Sequence, residues 1–223
     1  MMSIPNVWNK AQACIVLVAA ACLACSCESA YYRTLEALGK HKRDLLVERV
    51  VAARDGQAEA KEQFQTALER FAAVVKFEGG DLQAKYDELK AELDHSEAKA
   101  QAVTKQIADV RDVSSALFTE WESELARYSD DDLRLSSEVT LRETQMRYAQ
   151  LLRAMTRAER KMEPVLAAFR DQVLFLKHNL NALAVASLGG TVGTLETEMA
   201  ALVAEMEASI REANGFIAAM GKP

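Results

Sequence analysis

The sequence predicts an all-α protein, an elongated antiparallel helical bundle or coiled coil of three long helices and one shorter helix. Two observations support this fold class. The 223 residues include only nine Gly and three Pro, and they are 50% apolar but only 6% aromatic, a composition that favours helix over sheet. Apolar residues also recur at alternating steps of four and three along much of the chain, which is the spacing of a coiled-coil seam.

Three short segments mark the ends of the predicted helices. A Gly-Gly-Asp segment at 79–81, three aspartates at 130–132 and a Gly-Gly-Thr segment at 189–191 interrupt the apolar pattern. Glycine ends helices by adopting left-handed backbone conformations, and Asp or Thr caps the helix that follows. These segments place four helices at residues 31–77, 81–128, 133–187 and 191–219.

The second helix has the clearest seam. Alternating steps of four and three from Leu82 to Tyr128 give fourteen positions, of which eleven are apolar, and charged residues lie between them. The first helix is less regular and is expected to place a looser set of apolar residues in the core: Val47, Val50, Val51, Phe64, Leu68, Phe71 and Val75.

The third and fourth helices repeat the pattern. Pro164 lies inside the third helix and is expected to kink it or restart it. The seam of the third helix is predicted at Tyr148, Leu151, Met155, Ala158, Met162, Val165 and Phe169, with a slip to Val173, Leu176, Leu180 and Leu183. The seam of the fourth is predicted at Val192, Leu195, Met199, Leu202, Met206, Ile210, Ala213, Ile217 and Met220.

Charge and residue spacing exclude several classes of function. With 27 basic and 33 acidic residues the net charge is -6, which argues against nucleic-acid binding. His41, His95 and His178 lie far apart, and the aspartates at 130–132 lack the alternating ligands of a calcium loop. Helix capping explains those aspartates better. We therefore expect no catalysis, no cofactor and no bound metal.

The first 26 residues are predicted to be a lipoprotein signal peptide, and residues 27–223 are predicted to form the helical coiled-coil domain. All four cysteines lie within the first 27 residues, and Lys10 is the only charged residue before an uncharged segment at 11–24. That segment is short for a membrane span and suits the apolar region of an export signal.

The end of this segment predicts acylation of a cysteine. Small residues precede Cys27, as in the bacterial lipobox, although Leu23 lies four residues before it instead of the usual three. That departure leaves Cys22 and Cys25 as alternative acylation sites, and ordinary cleavage or no cleavage as further alternatives. Glu28 follows Cys27, which by analogy favours delivery to the outer membrane.

Two segments are candidates for interaction. Lys40, Lys42 and Arg43 belong to the one compact basic cluster of the sequence, which could meet anionic head groups or form a solvated helix face. Residues 169–181 form the densest apolar segment of the domain. Its four consecutive apolar residues predict a buried central helix or, as the alternative, a partner-binding surface. These four are Val173, Leu174, Phe175 and Leu176.

Parts of the chain resemble a known family. The segments at 29–50, which begins Ser-Ala-Tyr-Tyr, and at 169–182, which begins Phe-Arg-Asp-Gln-Val, are similar to a family of uncharacterised proteobacterial proteins. The resemblance covers nearly all of residues 27–223 and implies an all-helical domain of unknown function behind a lipoprotein signal. It also implies that Cys27 is the acylated cysteine, and it brings no activity or substrate.

These observations predict a lipid-anchored scaffold or spacer on the periplasmic face of the outer membrane, which acts by docking a helical face on another envelope protein. One alternative is a peripheral membrane or envelope-stress protein that binds anionic lipid. Another is a helical module that binds a small apolar ligand. A seam can close within one chain or against a second copy, so a homo-oligomer is also compatible.

Overall fold

The computed structural model describes residues 32, 39–75, 81–179, 181 and 188–221, and within them it contains helices and no strand. The predicted all-α class is confirmed. The four helices have 34, 44, 48 and 32 residues respectively. They are α1 (Lys42–Val75), α2 (Leu82–Leu125), α3 (Asp131–His178) and α4 (Gly189–Met220).

The chain divides into two compact units, Met1–Leu45 and Leu46–Pro223, with the boundary inside α1. The first unit includes Tyr32 and residues 39–45 among those described. The second unit contains the rest of α1 and all of α2, α3 and α4.

The first helix begins at Lys42, whereas the sequence predicted a helix from residue 31. Gly39 has a φ angle of 79°, which is the left-handed conformation that stops a helix and that glycine adopts without strain. The predicted helix is therefore interrupted at residues 39–41, and α1 is shorter than expected.

Aspartates begin α2 and α3, as the sequence predicted. The Asp81 carboxylate accepts a hydrogen bond of 3.1 Å from the Ala84 N–H. The Asp130 carboxylate accepts hydrogen bonds from the N–H groups of Asp132 and Leu133, at 2.9 and 3.0 Å. Each cap satisfies N–H groups that have no partner inside the helix.

In the second unit the four helices pack side by side in up-down-up-down order. Residues later in one helix contact residues earlier in the next, which is the antiparallel arrangement that was predicted. The α4 helix packs on both α3 and α1. The helices are joined by polar pairs between α1 and α2 (Lys99–Glu59, Arg70–Glu88), α2 and α3 (Arg170–Glu97, Trp121–Ser137), α3 and α4 (Arg157–Glu205) and α4 and α1 (Lys61–Glu207).

The core follows the predicted seam in α2 and α3. In α2 the nine consecutive seam positions from Leu89 to Leu117 are buried, whereas Glu124 and Tyr128 near its end are exposed. In α3 the described seam positions from Leu151 to Leu176 are all buried. Leu180 and Leu183 lie outside the described residues.

Two seams differ from the prediction. In α1 the buried positions keep a strict four-three spacing that small residues and one Gln complete: Leu46, Val50, Ala53, Gln57, Ala60, Phe64, Ala67, Phe71 and Val74. In α4 the seam passes through Ser209 and Phe216, which are buried, and not through Ile210 and Ile217, which are half-buried. Strict heptad spacing from Met206 leads to Ser209, so geometry overrides side-chain hydrophobicity here.

The α3 helix continues without a break through Pro164, so the predicted restart there is wrong. Pro164 is exposed, and solvent can therefore satisfy the carbonyl four residues earlier that has lost its N–H partner. None of the described helices is both long enough and apolar enough to cross a membrane.

Candidate functional site

Cys27, the predicted acylation site, lies outside the described residues, as do Cys22 and Cys25 and the whole predicted signal peptide. The candidate surfaces described below are therefore those of the helical residues.

The basic cluster is only partly on the surface. The Lys42 ammonium lies 5.4 Å from the centroid of the Tyr32 ring, and Lys42 is only 9% exposed. A cation above an aromatic face is attracted by the ring quadrupole. Lys42 therefore does not lie on a solvated helix face, while Lys40 and Arg43 are exposed.

The apolar segment at the end of α3 is split between core and surface. Val173 and Leu176 are buried, as a central helix requires, but Leu174 and Phe175 are 55% and 40% exposed. We refer to Leu174 and Phe175 as the Phe175 patch. Val173 and Leu176 therefore lie in the core, and the exposed Leu174 and Phe175 are the residues to which the partner-binding alternative still applies.

A charged clamp holds α3 on α2 next to this patch. Arg170 donates two hydrogen bonds to one Glu97 carboxylate oxygen, at 3.0 and 2.7 Å, and also pairs with Glu163. The hydrogen bond to Glu97 raises the pKa of Arg170. These contacts join α3 to α2 about one helical turn before the Phe175 patch.

A second apolar surface was not predicted. Leu135, Val139 and Met146 are 59%, 46% and 65% exposed. Spacings of four and seven residues place them on one side of α3, opposite the side on which Leu141 and Leu151 are buried. We refer to these three residues as the outer α3 stripe. The sequence contained a signal for this surface, because Leu135 and Val139 are apolar residues that precede Tyr148, the first seam position predicted for the third helix.

An open groove lies between α2 and α3. Ala100, Thr104 and Ala108 line it from α2, and Met162 and Leu166 line it from α3, with charged residues at its rim. Small side chains on α2 account for the groove, since they leave space between the two backbones. Among the described residues, this groove is where the alternative of a small apolar ligand would apply.

The fold and these surfaces define a helical-bundle protein with exposed apolar residues on its third helix. The chain belongs to the family DUF2959, a protein family of unknown function, whose model matches residues 31–220. Neither a curated protein nor a solved structure matches this chain.

Proposed function

We propose that this protein is a lipid-anchored scaffold or spacer of the cell envelope, held at the periplasmic face of the outer membrane by an acyl group on Cys27. It docks another envelope protein on the Phe175 patch and performs no catalysis. The anchor sets the location and orientation of the bundle, and thereby the local concentration of the docking surface.

One observation carries the docking part of the proposal. Leu174 and Phe175 are exposed between Val173 and Leu176, which are buried, so the helix that presents them is fixed by the core beneath it. Preorganised apolar side chains lose little entropy on binding, and aromatic residues are enriched in the centres of protein interfaces. The Arg170–Glu97 ion pair adds a further contact between this part of α3 and α2.

The anchor part of the proposal rests on the sequence. An uncharged segment at 11–24 is followed by small residues and Cys27, as in a lipoprotein signal. The family resemblance supports Cys27 over Cys22 and Cys25.

Intact mass of protein purified from detergent-solubilised membranes tests the anchor. We expect the wild-type mass to lack residues 1–26 and to include acyl chains, and we expect the Cys27→Ala variant to lack both changes. An unprocessed wild-type chain in the soluble fraction would overturn the anchor. A mass that begins at Cys22 or Cys25 would move the site to that cysteine.

Photo-crosslinking in living cells tests the docking surface. A photoreactive amino acid at position 175 is expected to give an adduct with an envelope protein, and the Cys27→Ala variant is expected to lose this adduct. The control carries the same group at His95, which is exposed on α2. Equal labelling from both positions would contradict docking at the patch, and an adduct with lipid alone would favour the anionic-lipid alternative.

A further inference from the structure

Charged residues lie on the same side of α3 as the outer α3 stripe and form a row along the helix. An acidic pair lies near the start of this row and a basic pair lies towards its end. Asp131 and Asp132 come 15 and 14 residues before Met146, and Arg160 and Lys161 come 14 and 15 residues after it. All four charged residues are exposed. The acidic and basic pairs are therefore equally distant from the most exposed residue of the stripe, at about 20 Å on either side along the helix.

Most of these charges have no partner in the part of the chain that the structure describes. Arg160, Lys161 and the Asp132 carboxylate form no ion pair there, and neither does Arg153 in the same row. Asp131 pairs only with Arg134, within its own helix, and its side chain is 91% exposed. These charges are therefore available to a partner that places charges of opposite sign against them.

We propose that the outer α3 stripe is the contact between two copies of this chain, which pair antiparallel about a two-fold axis near Met146. A two-fold axis there places Asp131 and Asp132 of each copy opposite Arg160 and Lys161 of the other. Such an interface is isologous, so one set of residues supplies both halves.

Two of the three stripe residues, Met146 and Val139, fit the same pairing, whereas Leu135 faces Arg157, which pairs with Glu205 of its own copy. Met146 meets its own counterpart at the axis. Val139, seven residues before Met146, faces Arg153, seven residues after it, and the aliphatic stem of an arginine covers apolar surface well. Glu138 pairs with Arg142 within its own helix, so it adds no unpaired charge to this contact. Apolar contacts at the centre and charge pairs at the edges are the usual anatomy of a protein interface.

An anionic membrane surface fits this row less well than a second copy does. Arg153, Arg160 and Lys161 would be attracted to it, but Asp131 and Asp132 next to the apolar residues would be repelled. The row therefore matches a partner whose surface charge also changes from acidic to basic along its length. This inference uses different residues from the proposed docking of an envelope protein, so either can fail alone.

Charge reversal of the full chain in detergent, followed by sedimentation velocity, tests the pairing. One variant carries Asp131→Lys and Asp132→Lys, and the other carries Arg160→Glu and Lys161→Glu. In a dimer of either variant alone, like charges face each other at both ends of the interface. We therefore expect the dimer Kd to rise at least about tenfold. An equimolar mixture restores both complementary clusters and is expected to dimerise as the wild type does. Asp130, which caps α3, is unchanged, and circular dichroism checks the helix content.

A matched pair of apolar variants separates this surface from the Phe175 patch. Met146→Asp is expected to raise the dimer Kd by about 100-fold, because a charge would be buried at the axis. Leu174→Asp changes another exposed residue of the same helix, at 55% against 65% for Met146, and is expected to leave the dimer intact. A monomeric wild type, or a mixture of the charge variants that stays monomeric, would overturn the proposal.

Discussion

The Ser209 hydroxyl of α4 donates a hydrogen bond of 2.7 Å to Gln57 Oε1 of α1, and both residues are completely buried. This polar pair lies in a core that is otherwise formed mainly by apolar side chains. Gln57 Nε2 has no hydrogen-bond partner among the described residues. We therefore expect this hydrogen bond to favour one register of α1 against α4 at a cost in stability, as buried polar residues do in coiled coils.

Removing one member of this pair is expected to destabilise the protein more than removing both. Ser209→Ala leaves both polar atoms of the Gln57 amide buried without partners, which costs about 1–3 kcal/mol of unfolding free energy. In the double variant Gln57→Leu/Ser209→Ala, both polar groups are gone and most of that loss is recovered. Urea unfolding followed by circular dichroism measures the difference, and a double variant less stable than Ser209→Ala would contradict the prediction.

The close approach of α1 and α2 at Gly56 gives a second prediction. A Cβ atom on Gly56 would overlap the side-chain carbonyl of Gln106, whose oxygen is buried and has no hydrogen-bond partner within the described part of the chain. Ala favours helix over Gly by about 1 kcal/mol, but in Gly56→Ala the Gln106 amide must move aside, which offsets part of this gain. The double variant Gly56→Ala/Gln106→Ala removes the overlap.

We therefore expect the melting temperature of the double variant to exceed that of Gly56→Ala. Gln106→Ala alone is the matched control, since it removes the buried carbonyl but keeps the glycine. If Gly56→Ala alone were as stable as the double variant, Gln106 would have moved away without cost, and the packing explanation would be wrong.

The sequence predicted the helices and most of the core because apolar spacing depends only on helix geometry. It missed part of the α1 seam because Ala53, Gln57 and Ala60 carry little hydrophobic signal, although their spacing is regular. It assigned Ile210 instead of Ser209 because Ile210 is the more hydrophobic of the two, and because the acceptor that satisfies the buried Ser209 hydroxyl, Gln57 Oε1, belongs to a residue 152 positions away. Contacts at such separation leave no local pattern.

The candidate surfaces were only partly predictable for a related reason. Leu174 and Phe175 lie in an apolar segment that the sequence marked, but which residues of that segment are exposed depends on where α1 and α4 pack. The burial of Lys42 depends on Tyr32, ten residues earlier, and on the break in the helix at Gly39. The outer α3 stripe could have been found, because Leu135 and Val139 are four residues apart on the same helix.

An aromatic pair provides a test of the core between α1 and α3. The rings of Phe71 and Phe169 meet edge to face, with 6.2 Å between their centroids, and both residues are buried. Phe71→Ala leaves a cavity and is expected to lower the unfolding free energy by about 3–5 kcal/mol. Phe175→Ala, at an exposed phenylalanine, is the matched control and is expected to change it by less than about 0.5 kcal/mol. Similar losses in the two variants would contradict the assignment of Phe71 to the core.

The contact of Glu88 with two cations predicts a pH dependence of stability. A hydrogen bond from Lys85 is the main reason that the pKa of Glu88 is lowered below 4.5, and the charge of Arg70 adds to it. A lowered pKa means that the folded protein favours the carboxylate. The stabilisation is therefore present above pH 4.5 and is lost as the pH falls through the pKa of the folded state.

Glu88→Gln is expected to be less stable than the wild type near pH 7, by at most about 1 kcal/mol because these pairs are near the surface. The difference is expected to shrink as the pH falls below 4.5, since a protonated Glu88 resembles glutamine, and to shrink in high salt because salt screens the charges. Glu69→Gln is the control, since Glu69 is exposed and forms no ion pair among the described residues. Urea unfolding at a series of pH values measures both variants. A difference between Glu88→Gln and the wild type that stayed constant from pH 7 to pH 3 would show that the carboxylate of Glu88 contributes through packing and not through its charge.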